Sequence, residues 1–205
     1  ALVSPEVVAL APAAQRFSVG KRAGRKSVSQ QTIHRLMIRG ARQGKRVVRL
    51  KCGDPFVLGR GGEEALALRA AGVPFEVVPG LTTAVAAAEL AGIPLTHRGV
   101  ASGFAVVSGH AEEGFRPILD AVAPNSLTIV VLMGLASRAR VAARLIDRGW
   151  RPDTPAAIVM AAATERMQSW VGRLDELGAT CIGAGDRAPG TIVIGDVVAL
   201  RSLID

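Results

Sequence analysis

The sequence predicts an α/β fold in two successive domains, and three observations carry that expectation. Short β-branched runs alternate with Ala/Leu-rich helical stretches along all 205 residues. Most of those runs lack strict polar/apolar alternation, as strands buried on both faces of a parallel sheet do. Ser108-Gly109-His110 and the polar stretch to Gly114 interrupt the pattern near its middle, dividing the chain into 1–109 and 110–205. With 49% apolar and 20% charged residues, the chain can bury a sizeable core, which excludes disorder as a whole.

Taken in order, Ser4 offers a cap and Pro5 the first position of a helix over 5–11. A strand follows at 16–19, then a helix over 30–42 and a strand over 46–50. The next helix, 63–71, stops at Gly72, and a strand over 75–78 leads to a helix over 82–90. Strands are expected at 104–107, 127–132, 156–159 and 191–194. A helix over 137–148 stops at Gly149, and a short one is expected over 173–177. The longest apolar runs, 129–133 and 156–163, fall short of the roughly 20 residues that cross a bilayer, so a soluble, cytoplasmic protein is expected. Cys52 and Cys181 are isolated thiols without ligand spacing, and neither a disulfide framework nor a metal site is expected.

The net charge of +8 is concentrated in one segment. Residues 16–51 hold twelve Lys and Arg and no acid, whereas 52–205 hold 13 basic and 16 acidic side chains. One reading is a solvated basic face; the other is a surface that meets an anion. Phe17 is the only aromatic residue among those cations, so stacking platforms for nucleic-acid bases are scarce. A small polycarboxylate or polyphosphate fits at least as well, because Arg forks both kinds of oxyanion.

Two loops carry the chemistry. Lys51-Cys52-Gly53-Asp54-Pro55-Phe56-Val57-Leu58-Gly59-Arg60-Gly61-Gly62-Glu63-Glu64 joins a strand end to a helix, the place where open α/β sheets hold ligands. Asp54 suits a ribose hydroxyl or an ammonium, although Asp-Pro also makes a plain turn. Val78-Pro79-Gly80-Leu81-Thr82-Thr83 is a second such loop, in which Thr82 serves equally well as a helix cap. Neither a Walker lysine pattern nor Gly-x-Gly-x-x-Gly is present.

These residues resemble the tetrapyrrole methylase family, and within it the uroporphyrinogen-III C-methyltransferase branch that also occurs as the methylase part of siroheme synthase. The resemblance starts at Leu2-Val3-Ser4-Pro5-Glu6 and runs through Val19-Gly20-Lys21-Arg22-Ala23-Gly24 and Gly53-Asp54-Pro55-Phe56. It continues through Gly59-Arg60-Gly61-Gly62-Glu63-Glu64, Val77-Val78-Pro79-Gly80 and Pro94-Leu95-Thr96-His97-Arg98, and less strictly from Met133-Gly134-Leu135 to Val193-Ile194-Gly195. Gly-Asp-Pro marks the wider family; Gly-Arg-Gly-Gly-Glu-Glu and Pro-Leu-Thr-His-Arg mark the branch.

The resemblance implies two α/β domains with the active site in the cleft between them, in a homodimer. It implies two methyl transfers from S-adenosyl-L-methionine to uroporphyrinogen III, giving precorrin-1 and then precorrin-2, in siroheme, cobalamin or heme d1 biosynthesis. Cofactor positions carry over onto Cys52, Gly53, Asp54, Val57, Thr82, Thr83, Met133, Ala162, Pro189 and Gly190; Met133 also has a plain core reading. For catalysis it points to Lys21, Arg60 and Glu63, with Glu63 as base and Arg60 as carboxylate anchor. A first-turn acid favoured by the helix dipole is the other reading of Glu63, and a carboxylate-binding cation the other reading of Lys21. Arg22, Arg60, His97 and Arg98 are the expected substrate contacts, whereas His34 and His110 read as ordinary solvated or hydrogen-bonded histidines.

Two departures from the family stand out. Glycine is its usual residue at the position of Cys52, where a positive φ would strain a cysteine by about 1 to 3 kcal/mol. The family's opening strand and Gly-Pro-Gly-Asp-type loop do not precede Ala1, so the first strand of the N-terminal domain is expected to be missing. Two other functions therefore accompany the methyltransferase: an RNA-modifying methylase of the same fold, motivated by the basic segment, and a catalytically silent binding module.

Overall fold

A computed structural model of the chain describes residues 3–20, 28–181 and 188–204. The chain forms two compact units, Ala1–Thr82 and Thr83–Asp205. The divide expected after Gly109 falls just past the first strand of the second unit.

In the first unit, α1 (Pro5–Ala9) starts as expected, with Ser4 Oγ accepting the Val7 N–H at 3.4 Å. Helix α2 (Gln30–Arg42) has the bounds read from the sequence; Ser29 Oγ caps it by accepting the Thr32 N–H at 3.1 Å. Ile33 and Met37, one turn apart, are its buried residues, and its arginines Arg35, Arg39 and Arg42 line a surface cavity of about 680 Å³ together with Leu36 and Ala71. Helix α3 (Gly61–Ala70) begins two residues earlier than expected.

The strands expected at 16–19, 46–50 and 75–78 form no ladder among the described residues. Val48 and Val78 are each 73% exposed, and Leu50 and Phe75 are exposed as well. A parallel strand is held by burial on both faces, and these side chains lack it.

The second unit opens with α4 (Thr83–Leu90) and builds a five-stranded sheet in the order β1-β2-β5-β3-β4. Its strands are β1 (Phe104–Ser108), β2 (Thr128–Leu132), β3 (Pro155–Met160), β4 (Gln168–Arg173) and β5 (Gly190–Ile194). Only β1 and β2 run parallel; β2–β5, β5–β3 and β3–β4 are antiparallel, so the sheet is mixed rather than parallel as the sequence suggested. Unbroken apolar runs report burial on both faces, and burial does not encode direction.

Alternate residues of β1, β2, β3 and β5 feed two cores. Ile129, Val131, Ile158, Ile192 and Ile194 pack with Phe115 and Leu119 of α5 (Glu112–Ala121) and with Val141 and Leu145 of α6 (Arg138–Asp147). Val130, Leu132, Ala157, Val159 and Val193 pack with Ala84, Ala87 and Ala88 of α4. The chain closes with a 3-10 turn, Asp196–Leu200, and α7 (Arg201–Ile204).

Other elements of this unit differ from the sequence reading as well, β4 and α7 among them, which it did not anticipate. Helix α5 lies where a polar junction was expected, because Phe115 and Leu119 bury fully despite Gly114 and Pro117. The helix expected over 173–177 is instead the last residue of β4 followed by a turn, in which the Leu174 N–H donates to Thr154 O at 2.8 Å.

Candidate functional site

The loop after Lys51 is organised by Asp54. Its Oδ1 accepts the N–H groups of Phe56 and Val57 at 2.8 and 3.1 Å, and its Oδ2 accepts the Gly80 N–H at 3.2 Å. One carboxylate thereby joins the two loops singled out from the sequence. Those backbone bonds, the one from Phe56 foremost, hold its carboxyl below the usual carboxylate range. The approach is tight: a Cβ on Gly80 would lie 2.2 Å from Gly53 O. Gly53 itself takes φ +67°, and Cys52 is not among the residues with positive φ, so the strain considered for Cys52 is absent.

The far end of the loop closes on itself. The Gly61 N–H donates to Pro55 O at 2.9 Å, and a Cβ on Gly59 or Gly61 would come within 2.6 or 2.4 Å of that oxygen. Between them Arg60 is left-handed at φ 58° and caps α3 without a side-chain bond. Its guanidinium grips Glu63 with two bonds of 2.7 Å, and both side chains are about half exposed. The hydrogen bond to Glu63 raises the pKa of Arg60.

Glu64, the next residue, points inward and is 5% exposed. Its Oε1 accepts from Gln30 Nε2 at 2.9 Å and from Arg49 at 3.1 and 3.2 Å; its Oε2 accepts from Lys51 Nζ at 3.0 Å. Lys51 Nζ also donates to the Gly59 carbonyl inside the loop. Burial pushes the Glu64 carboxyl up, but the bonds from Lys51 and Gln30 and the charges of Arg49 and Lys51 outweigh it and hold it low.

In the second unit, the register gathers four expected residues at one end of the sheet. Leu132 pairs with Thr191 and Met160 with Gly190, so the ends of β2 and β3 flank the start of β5. Met133 follows β2, Ala162 follows β3, and Pro189 and Gly190 open β5; the Ala161 N–H donates to Pro189 O at 2.9 Å. Met133, Ala161 and Ala163 are left-handed, at φ 56°, 47° and 61°. Met133 is 53% exposed, which removes its core reading. A Cβ on Gly190 would meet Met160 Sδ at 2.6 Å, so a larger residue there would have to push the Met160 side chain aside.

The remaining expected residues are more scattered. Thr82 directly precedes α4 and Thr83 is its first residue; both are half-buried. His97 and Arg98 sit on an exposed turn where the His97 ring nitrogen Nδ1 lies 2.9 Å from Arg98 O. That turn leads into β1, whose start is at the opposite end of the sheet from Met133. Lys21 and Arg22 lie outside the described residues. The sequence reading passed over Lys51, Glu64 and Gly80 as individual functional residues. Adjacent acids in a first helical turn cannot share a face, and that spacing was the available signal that Glu63 and Glu64 differ.

Comparison with known proteins bears on this geometry. Residues 1–178 match the family model described as Tetrapyrrole (Corrin/Porphyrin) Methylases. A siroheme synthase of Tolumonas auensis is 48% identical over 205 residues, 99% of this chain, which spans 43% of that protein's length. A uroporphyrinogen-III C-methyltransferase of Methanocaldococcus jannaschii is 42% identical over 200 residues, 96% of this chain and 83% of that protein. A crystal structure of uroporphyrin-III C-methyltransferase from Thermus thermophilus, complexed with S-adenosylhomocysteine, superposes with a TM-score of 0.78 at 42% identity, covering 96% of this chain and 83% of that one. No helix among the described residues is long and apolar enough to cross a membrane. With its mixed sheet, its Asp54-braced loops and a family match over most of its length, the chain belongs to the tetrapyrrole methylase family.

Proposed function

We propose that this chain transfers methyl groups from S-adenosyl-L-methionine to uroporphyrinogen III, giving precorrin-1 and then precorrin-2. The observation that carries the reading is the loop pair braced by Asp54 onto Gly80, in a chain 42% identical over 200 residues to an enzyme named for that reaction. The named activity of that relative favours this reading over an RNA-modifying methylase, and the S-adenosylhomocysteine in the Thermus structure favours it over a silent module.

The residues present fit the cofactor. The Gly53 and Gly80 backbones approach so closely that a Cβ on Gly80 would clash with Gly53 O, and within that loop pair Val57 and Leu81 leave apolar surface exposed. In this reading Gly53, Asp54, Val57, Thr82 and Thr83, with Met133, Ala162, Pro189 and Gly190, hold the nucleoside and its amino acid end, and Cys52 adds a thiol at the rim. When bound, S-adenosyl-L-methionine supplies an electrophilic sulfonium methyl, whose attachment to a ring carbon leaves a neutral thioether and a macrocycle that must lose a proton.

The protein's own part is alignment, charge and proton removal. Holding a ring carbon in line with the methyl group supplies much of the acceleration by proximity. Arg60, already forked onto a carboxylate, exchanges Glu63 for a carboxylate of the octacarboxylic substrate. That exchange takes the Arg60 guanidinium off the Glu63 carboxylate, and losing this cation makes Glu63 a stronger base when the substrate is seated. Arg22, His97 and Arg98 contribute further carboxylate contacts, and Lys21 donates a proton or holds another carboxylate. The same reading includes a homodimer and a cytoplasmic setting.

The test is anaerobic incubation with S-adenosyl-L-methionine and enzymatically made uroporphyrinogen III. Products heavier by one and two methyl groups are expected; an unchanged macrocycle, with no calorimetric binding of S-adenosylhomocysteine to the folded chain, would overturn the reading. Velocity sedimentation checks the dimer.

A further inference from the structure

Lys51 and Glu64 stand at the two ends of the 52–60 loop: one leaves the preceding extended segment, the other faces inward from the first turn of α3. Their side chains are 11% and 6% exposed and meet at 3.0 Å. Lys51 also reaches the Gly59 carbonyl, and Glu64 is fastened to α2 through Gln30 and to Arg49. Removing two charges from water is costly, and apolar residues of the same size often serve stability as well. A buried pair that spans both ends of a loop and grips a carbonyl within it is suited to fixing geometry.

We infer that Lys51 and Glu64 are positioning residues that set the conformation of the 53–60 loop and, resting on the function proposed above, the affinity for the methyl donor. The adjacent glutamates then divide the work. Glu63, half exposed and forked by Arg60, faces the chemistry; Glu64 holds the platform on which Asp54 arranges the Phe56, Val57 and Gly80 amides.

The test compares Glu64→Gln and Lys51→Met in the full chain with wild type. Hydrogen exchange of the Phe56 and Val57 amides reads the loop without ligand, and calorimetry with S-adenosylhomocysteine reads its consequence. Each variant is expected to exchange those amides at least about tenfold faster and to bind about tenfold more weakly, while turnover at saturating donor stays within about threefold. The double variant should lose less than the product of the two single effects, because both act through one contact. Variants that fold and match wild type in exchange and binding would overturn the inference and leave the proposed function standing. Unfolding of both single variants would make the pair a requirement of the fold and would also overturn it. A wild-type chain that neither binds nor transfers would remove the proposed function and, with it, the donor affinity that the pair is said to set.

Discussion

Gly61 and Gly62 stand side by side at the start of α3 and answer differently to the same substitution. A Cβ on Gly61 would lie 2.4 Å from Pro55 O, whereas one on Gly62 meets nothing within 4 Å. Gly61→Ala is expected to destabilise the protein by about 1–3 kcal/mol in urea unfolding and to weaken S-adenosylhomocysteine binding. Gly62→Ala should be neutral or stabilising by up to about 1 kcal/mol, as helix propensity dictates. At the next position, Glu63→Gln should lower turnover by about 100-fold with cofactor binding retained, and undiminished turnover would remove Glu63 from proton transfer. For Glu64 the prediction concerns acid. Its folded pKa lies below its ordinary 4.5, so its contribution to stability is complete above that value and is lost as the pH falls through the depressed one. Urea unfolding of wild type should therefore show a loss as the pH falls below the ordinary glutamate value of 4.5 that is smaller in Glu64→Gln.

Helices announced themselves in the sequence wherever caps and burial agreed. Helix α2 was legible to the residue, since Ser29 caps it and Ile33 and Met37 repeat one turn apart. Helix α5 was not, because Gly114 and Pro117 weaken it locally while tertiary burial of Phe115 and Leu119 overrides that weakness. Strand β4 escaped for the opposite reason: it is an edge strand paired only with β3, and its exposed Gln168 and Ser169 give little hydrophobic signal. The packing of α6 supplies an element-level test. Leu145 is fully buried between α6 and the sheet, and Leu145→Ala should cost about 2–5 kcal/mol in equilibrium unfolding.

Across the whole chain, the two units differ in how their extended segments are held. The second unit covers both faces of its sheet, whereas 46–50 and 75–78 in the first carry no ladder among the described residues. Amides of β2, β3 and β5 should therefore be the slowest in native-state hydrogen exchange, and those of 46–50 and 75–78 at least about 100-fold faster; equal protection would contradict this. Expected strand ends and glycines mark the loops at Asp54 and Thr82 in one dimension, whereas Met133 entered only through the family resemblance. Motif reading missed the sheet's mixed direction, which depends on long-range pairings such as Leu132 with Thr191. At that rim Met133, Ala161 and Ala163 occupy a conformation that glycine adopts freely, each at roughly 1–2 kcal/mol. Glycine at 161 or 163 would relieve that cost, so the melting temperature gained is the part of it left after the extra freedom glycine brings to the unfolded chain.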